Sequence, residues 1–141
     1  MIETEYEIPV AVDGASDGTW ILSLNHVPGR SIALTLIAAD GRTWSAQAGD
    51  AFNALMKLRL QVEPLGLQIA CNGARRNAWS SGMQRDMGEG IATYLLELGQ
   101  HGVQPPTVRT LDPAPLDDVV TVAEQLAFHE AWLAEIQEKA R

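Results

Sequence analysis

Turn signals divide the first 47 residues into short apolar segments, and that punctuation limits the fold more than any other feature of the chain. The strongest of them is Asp40-Gly41, because both residues tolerate the positive φ of a tight two-residue hairpin turn. It predicts that SIALTLIAA (31–39) and RTWSA (42–46) are paired strands. The first of these is a nearly continuous apolar run, which predicts a central strand buried on both faces. Upstream, Pro28-Gly29 closes TWILSLNHV (19–27), whose Trp20, Leu22 and Leu24 share one side. Residues 4–12, TEYEIPVAV, alternate with Tyr6, Ile8, Val10 and Val12 on one face. Pro9 has no N–H to donate, so this strand belongs at a sheet edge or bends there. Between the two lies DGASDG (13–18), read as a loop. The whole forms an antiparallel meander of about four strands.

A helix follows. Asp50 is its N-cap, Phe52, Leu55, Met56 and Leu60 recur at helical spacing, and Asn53, Lys57 and Gln61 face away. Pro64 ends it near Glu63. LQIAC (67–71) and IATYLLELG (91–99) read as two further strands, paired antiparallel across the loop between them. Residues 99–115 hold Gly99, Gly102 and the prolines 105, 106, 113 and 115, which predicts an extended linker. The last segment, 116–139, is the clearest helix: Val119, Val122, Ala123, Leu126, Trp132, Leu133 and Ile136 form its apolar stripe. Asp117 and Asp118 near its start, and Lys139 and Arg141 near its end, match the helix dipole. The expected fold is one α+β domain: an antiparallel sheet of about six strands and two helices, order ββββ-α-ββ-α, with the helices mainly on one face.

Composition removes several function classes. A net charge of −8, with lysine only at Lys57 and Lys139, repels polyphosphates and argues against nucleic-acid binding. A single cysteine, Cys71, rules out an intramolecular disulfide framework and fits a reducing compartment. MIETEYEIPV lacks the basic and apolar regions of a signal peptide, and no apolar run approaches the roughly 20 residues that span a bilayer. The chain is expected to be cytoplasmic, with no membrane partner and no cofactor.

One stretch differs sharply from its surroundings: Cys71 to Gly90, CNGARRNAWSSGMQRDMGEG. Arg75, Arg76 and Arg85 stand in it with no acid before Asp86, among four glycines and the pair Ser80-Ser81. Either serine can cap a helical turn from Gly82 to Met87, with Met83 and Met87 tucked beneath it. Arg75, Arg76, Ser80, Ser81, Gly82 and Arg85 then form a candidate site for an anion or a partner, since free amides, hydroxyls and guanidinium groups bind phosphate or carboxylate. Strand alternation turns Arg75 and Arg76 to opposite faces, and Arg76, nearer the loop, is the favoured site residue. The plain alternative is that the arginines pair with the chain's own 18 carboxylates and the glycines only supply turns.

The pattern C-N-G-A-R-R, then S-G-M, then M-G-x-G before Y-L-L resembles a group of small uncharacterised bacterial proteins, actinobacterial in source, over roughly residues 65–96. The resemblance implies that the stretch is a family hallmark, and it brings no activity with it. No P-loop, dinucleotide fingerprint or hydrolase elbow is present. Cys71 is a nucleophile only if His26, His101 or His129 lies beside it, and otherwise a small buried hydrophobe. The three histidines lack metal-ligand spacing. Trp79 and Trp132 suit either a contact surface or a core. Two function classes stand: a small acidic non-enzymatic interaction protein (adaptor, chaperone-like or toxin-neutralising), with a protein or a second copy meeting the C-terminal helix; and a small-ligand or anion-binding domain, with or without an enzymatic activity, centred on Arg75, Arg76 and the loop Ser80–Gly90.

Overall fold

The computed structural model describes residues 3–100, 102 and 104–139. It is α+β, and it begins with the expected antiparallel meander: β1 (Glu3–Val12), β2 (Ala15–Val27), β3 (Ser31–Ile37) and β4 (Thr43–Ala48). After helix α1 (Ala51–Val62), a short β5 (Leu67–Ile69) returns to pair with β1, giving the order β4-β3-β2-β1-β5. The registers Ile8↔Trp20, Leu22↔Leu36 and Leu24↔Leu34 stack large apolar side chains on one face. Leu55 and Leu58 of α1 complete that core. Each fully buried side chain of this size contributes roughly 1.5–3 kcal/mol.

The details correct the sequence reading in several places. β3 is buried on one face only: Ile32, Leu34 and Leu36 are enclosed, while Ala33, Thr35 and Ile37 are half-exposed. On its outer face Thr35 Oγ1 and Ser45 Oγ share a hydrogen bond of 2.9 Å. The tight two-residue turn is Asp13-Gly14, with φ of 50° and 83°, so β2 starts earlier than expected. Asp40-Gly41 makes a wider turn, closed by Ala38 N–H to the Arg42 carbonyl at 2.9 Å. Pro9 does bend its strand, since the β1–β2 register shifts between Pro9 and Ala11. From Val10 onward β5 covers that edge.

The two strands expected to pair after α1 lie in different sheets. β6 (Ala78–Trp79), β7 (Ala92–Leu95) and β8 (Thr107–Arg109) form a second sheet in the order β6-β7-β8. β8 comes from the segment read as a linker. Pro105 and Pro106 stand before this edge strand, where a missing N–H costs nothing, Pro113 and Pro115 follow it, and Thr110, Leu111 and Ala114 are buried. The described residues thus hold eight strands and three α-helices rather than six and two, the extra helix being α2 (Gly82–Met87).

The final helix α3 (Val122–Lys139) starts later than 116. Leu116–Asp118 is a separate 3-10 turn, and an extended Val119 bridges to Arg75 before the helix begins. Its inward face is also rotated from the expected stripe. Val122 and Gln125 are buried, and His129, Trp132 and Ile136 are half-buried, whereas Leu126 and Leu133 are 38% and 39% exposed. Among the described helices, α1 is the one that lies on the five-stranded sheet. α3 is held to α1 and to residues 73–79, so the two main helices do not share one face. No helix among the described residues is long and apolar enough to cross a membrane.

Candidate functional site

The arginine-rich stretch opens with a 3-10 turn, Asn72–Ala74, packed so closely that a Cβ on Gly73 would sit 2.7 Å from Leu55 Cδ2 and from Thr110 Cγ2. Gln125 of α3 reads this turn. Its Nε2 donates to the carbonyls of Gly73, Arg75 and Ala78 at 2.7, 2.9 and 3.2 Å. Its Oε1 accepts from Arg59 Nη1 at 2.7 Å. Arg59 is only 2% exposed; its Nη2 donates to the Val120 carbonyl at 2.7 Å, and its Nε lies 3.7 Å from the Glu63 carboxylate. Glu63 in turn accepts the Val122 N–H at 3.1 Å, capping α3. Burial lowers the Arg59 pKa and raises that of Glu63, and their mutual attraction opposes both shifts.

The predicted site residues divide into two groups. Arg75 turns toward Asp118, at 2.9 Å, and donates from Nε to Asn72 Oδ1 at 2.9 Å. Arg76 is exposed and 3.6 Å from Glu124. Both line a groove of about 570 Å³ that also carries Asp117, Asp118 and Glu97, so its positive charge is locally balanced. Ser80, Ser81 and Arg85 come together elsewhere. Ser80 is fully buried, and its hydroxyl donates to the Ala92 carbonyl at 2.8 Å. Ser81 caps α2 as expected, in a reciprocal box: its Oγ accepts Gln84 N–H while Gln84 Oε1 accepts Ser81 N–H. Gly82, the first residue of α2, is exposed.

Arg85 lies across aromatic rings. Its guanidinium carbon is 4.6 Å from the Phe52 ring centre and 4.9 Å from that of Trp79, and its Nε donates to the Ser80 carbonyl at 2.9 Å. Because this side chain takes the inner face of α2, Met83 and Met87 point outward, 72% and 80% exposed, instead of tucking beneath. His129 stacks on Trp79 at 3.7 Å and lies 6.2 Å from Trp132. Burial, with the nearby Arg85, holds His129 below the ordinary imidazole range. Among the described residues, Arg85 Nη2 and His129 Nδ1 are buried without a hydrogen-bond partner.

Beside this stack opens a pocket of about 450 Å³ between the small sheet and α3. Trp79, Tyr94 and Trp132 contribute aromatic rings to its lining, and Leu96, Pro105 and Ile136 add aliphatic surface. Its side-chain polar groups come from Ser81, Gln100, Gln104 and the Tyr94 hydroxyl, which accepts from Gln104 Nε2 at 3.2 Å. None of the described lining residues is charged. Trp79 and Trp132 were singled out in the sequence as contact residues. Tyr94, Gln100, Gln104 and Pro105 were not; the signal was the pairing of Trp79 with Tyr94 across β6 and β7, hidden because β7 had been matched to the wrong strand.

Elsewhere, Cys71 is fully buried, and desolvation pushes its thiol up to about 12, which leaves the unreactive protonated form. His26 hydrogen-bonds Glu89 at 2.6 Å on the surface, and His101 lies outside the described residues. No group of three or more His, Cys, Asp or Glu among the described residues is placed to hold a metal ion. No protein-family model matches this chain, and no curated protein does so either.

Proposed function

We propose that this chain is a small non-enzymatic binding protein whose ligand enters the pocket lined by Trp79, Tyr94 and Trp132. The observation that carries this reading is the pocket itself. It has the volume of a small-molecule site, apolar and aromatic walls, and a few convergent hydrogen-bonding groups. The small-ligand reading of the sequence therefore moves from Arg75 and Arg76 to the pocket lined by Trp79, keeping Ser81 in the lining. The arginine-rich stretch then serves to hold β6 and α3 together and so to shape the pocket. A second reading, a protein partner, is favoured by the exposed Met83, Met87, Leu126 and Leu133 together with the arginines already paired to the chain's own acids.

The test is a ligand-observed NMR screen of small fragments against wild type and Ile136→Trp, a substitution that fills the pocket from the surface of α3. Hits that bind wild type and are lost in the variant support the pocket. A set of hits that all bind both proteins equally overturns it.

A further inference from the structure

Resting on that reading of the pocket, we infer that its ligand is an organic cation, an ammonium carried on an apolar stem about the size of a ring system. The acid at one end of the pocket is the first reason. A small cavity of about 30 Å³ adjoins the pocket and shares Leu96, Gln104 and Trp132 with it, and Glu97 lines that cavity. Among the described residues no arginine or lysine pairs with Glu97. Across the neighbouring groove Arg75 is taken by Asp118, and Arg76 lies by Glu124. Glu135 of α3, which accepts the Gly99 N–H at 2.7 Å, adds negative charge beside Gln100. At longer range the net charge of −8 draws cations toward the chain.

The rings are the second reason. A cation gives up hydration on entering an apolar site, and the negative face of an aromatic ring offsets part of that loss. Trp79 is already engaged, with His129 stacked on it at 3.7 Å and the Arg85 guanidinium carbon 4.9 Å from its ring centre. Tyr94 and Trp132 are therefore the rings left for a ligand cation. Trp132 lines both the pocket and the cavity of Glu97, so one ammonium can meet its ring and the carboxylate together. Burial and Arg85 hold His129 below the ordinary imidazole range, so above neutral pH it adds no opposing charge. Hydrogen bonding is the third reason. Gln104 donates from Nε2 to the Tyr94 hydroxyl at 3.2 Å, and its Oε1 is an acceptor suited to an ammonium N–H. Leu96, Pro105 and Ile136 supply apolar surface for the stem.

Isothermal titration calorimetry with the full chain tests this with three probes on one ring: 2-naphthylmethylammonium, 2-naphthamide and 2-naphthoate. At about pH 8 an ordinary imidazole is neutral and the alkylammonium still charged. The ammonium is expected to bind wild type, and the neutral and anionic probes to bind at least about tenfold more weakly. Its binding should be lost in Ile136→Trp. Exposed Glu97 can be changed without disturbing the core, so Glu97→Gln serves should the first variant fold poorly. There the ammonium should bind several-fold more weakly and the amide as before. An amide that binds as tightly as the ammonium, and is lost in Ile136→Trp, overturns the cationic class and leaves the pocket standing. Ammonium binding that is lost in Ile136→Trp but unmoved in Glu97→Gln overturns Glu97 as the countercharge. If none of the three binds, the class is overturned, and the pocket falls with it when the NMR screen also finds no hit that Ile136→Trp removes. Heat that persists unchanged in both variants places binding elsewhere and overturns both.

Discussion

His129 shows how one side chain couples stability to pH. It is stacked on Trp79 at 3.7 Å, its Nδ1 is buried with no hydrogen-bond partner among the described residues, and burial followed by Arg85 lowers its pKa from 6.5. A base whose folded pKa is depressed binds protons less well than it does unfolded. Its contribution is therefore present in full above about 6.5 and is lost as pH falls toward the folded value. Melting temperature should fall on acidification through this window, and His129→Phe, which keeps a stacked ring, should show a shallower fall in parallel melts. Gln125 is the more demanding residue, since Gln125→Leu leaves Arg59 Nη1 and the Gly73 carbonyl without this partner and takes a donor from the carbonyls of Arg75 and Ala78. An unsatisfied buried group costs about 1–3 kcal/mol, so urea unfolding should register a loss of about 3 kcal/mol or more. For Arg75 and Arg76, phosphate and sulfate should leave the wild-type melting temperature unchanged. Arg75→Ala should destabilise more than Arg76→Ala, because Arg75 is half-buried and joins both Asn72 and Asp118. A phosphate-dependent rise lost in either variant would restore the anion site.

Among the elements, the N-terminus of α1 depends on a loop far along the chain. Asp50 caps it through the Asn53 N–H at 2.8 Å, and the Glu89 carbonyl accepts the Ala51 N–H at 2.7 Å. Gly90 follows with φ of 68°, where an added Cβ would lie 2.8 Å from Phe52 N and 2.7 Å from Asp50 Oδ1. Gly90→Ala combines backbone strain with collision against a helix end that cannot retreat. A stability loss of at least about 2 kcal/mol is expected, measured by denaturant titration. What could be read beforehand follows from range. The meander, the Asp50 cap, the end of α1 and the Ser81 cap are local patterns, and each was visible in a few consecutive residues. The pairing of β7 with β6 and β8 is a choice among distant partners, which periodicity does not report. The face of α3 was misjudged for a related reason: a polar residue, Gln125, sits at its most buried point, so apolar spacing pointed to Leu126 and Leu133 instead. The stretch from Cys71 to Gly90 stands out by its composition. Arg75 and Arg76 suggest a ligand, whereas the acids beside them lie far along the chain, as Arg75 and Asp118 show with a separation of 43.

For the molecule as a whole, α3 is part of the domain rather than an appendage. Removing residues 122–141 would leave Arg59 without Gln125 and open one wall of the aromatic stack. Losing a hydrogen bond to a charged group costs about 1.5–3 kcal/mol, a sizeable share of the roughly 5–15 kcal/mol that holds a domain of this kind together, and the buried surface of α3 is lost with it. The truncated chain should lose its cooperative melt in calorimetry; a sharp transition retained without α3 would make the helix dispensable. The same closure sets a timetable for synthesis. Gln125 follows Arg59 by 66 residues, which at ribosomal speeds is a delay of roughly 3–13 s. Throughout that interval the meander and α1 can already be assembled, while the guanidinium destined for the interior still needs water. The nascent domain therefore passes through an obligatory half-built stage with an open, wettable side, and it seals from that side only when the helix bearing Gln125 arrives.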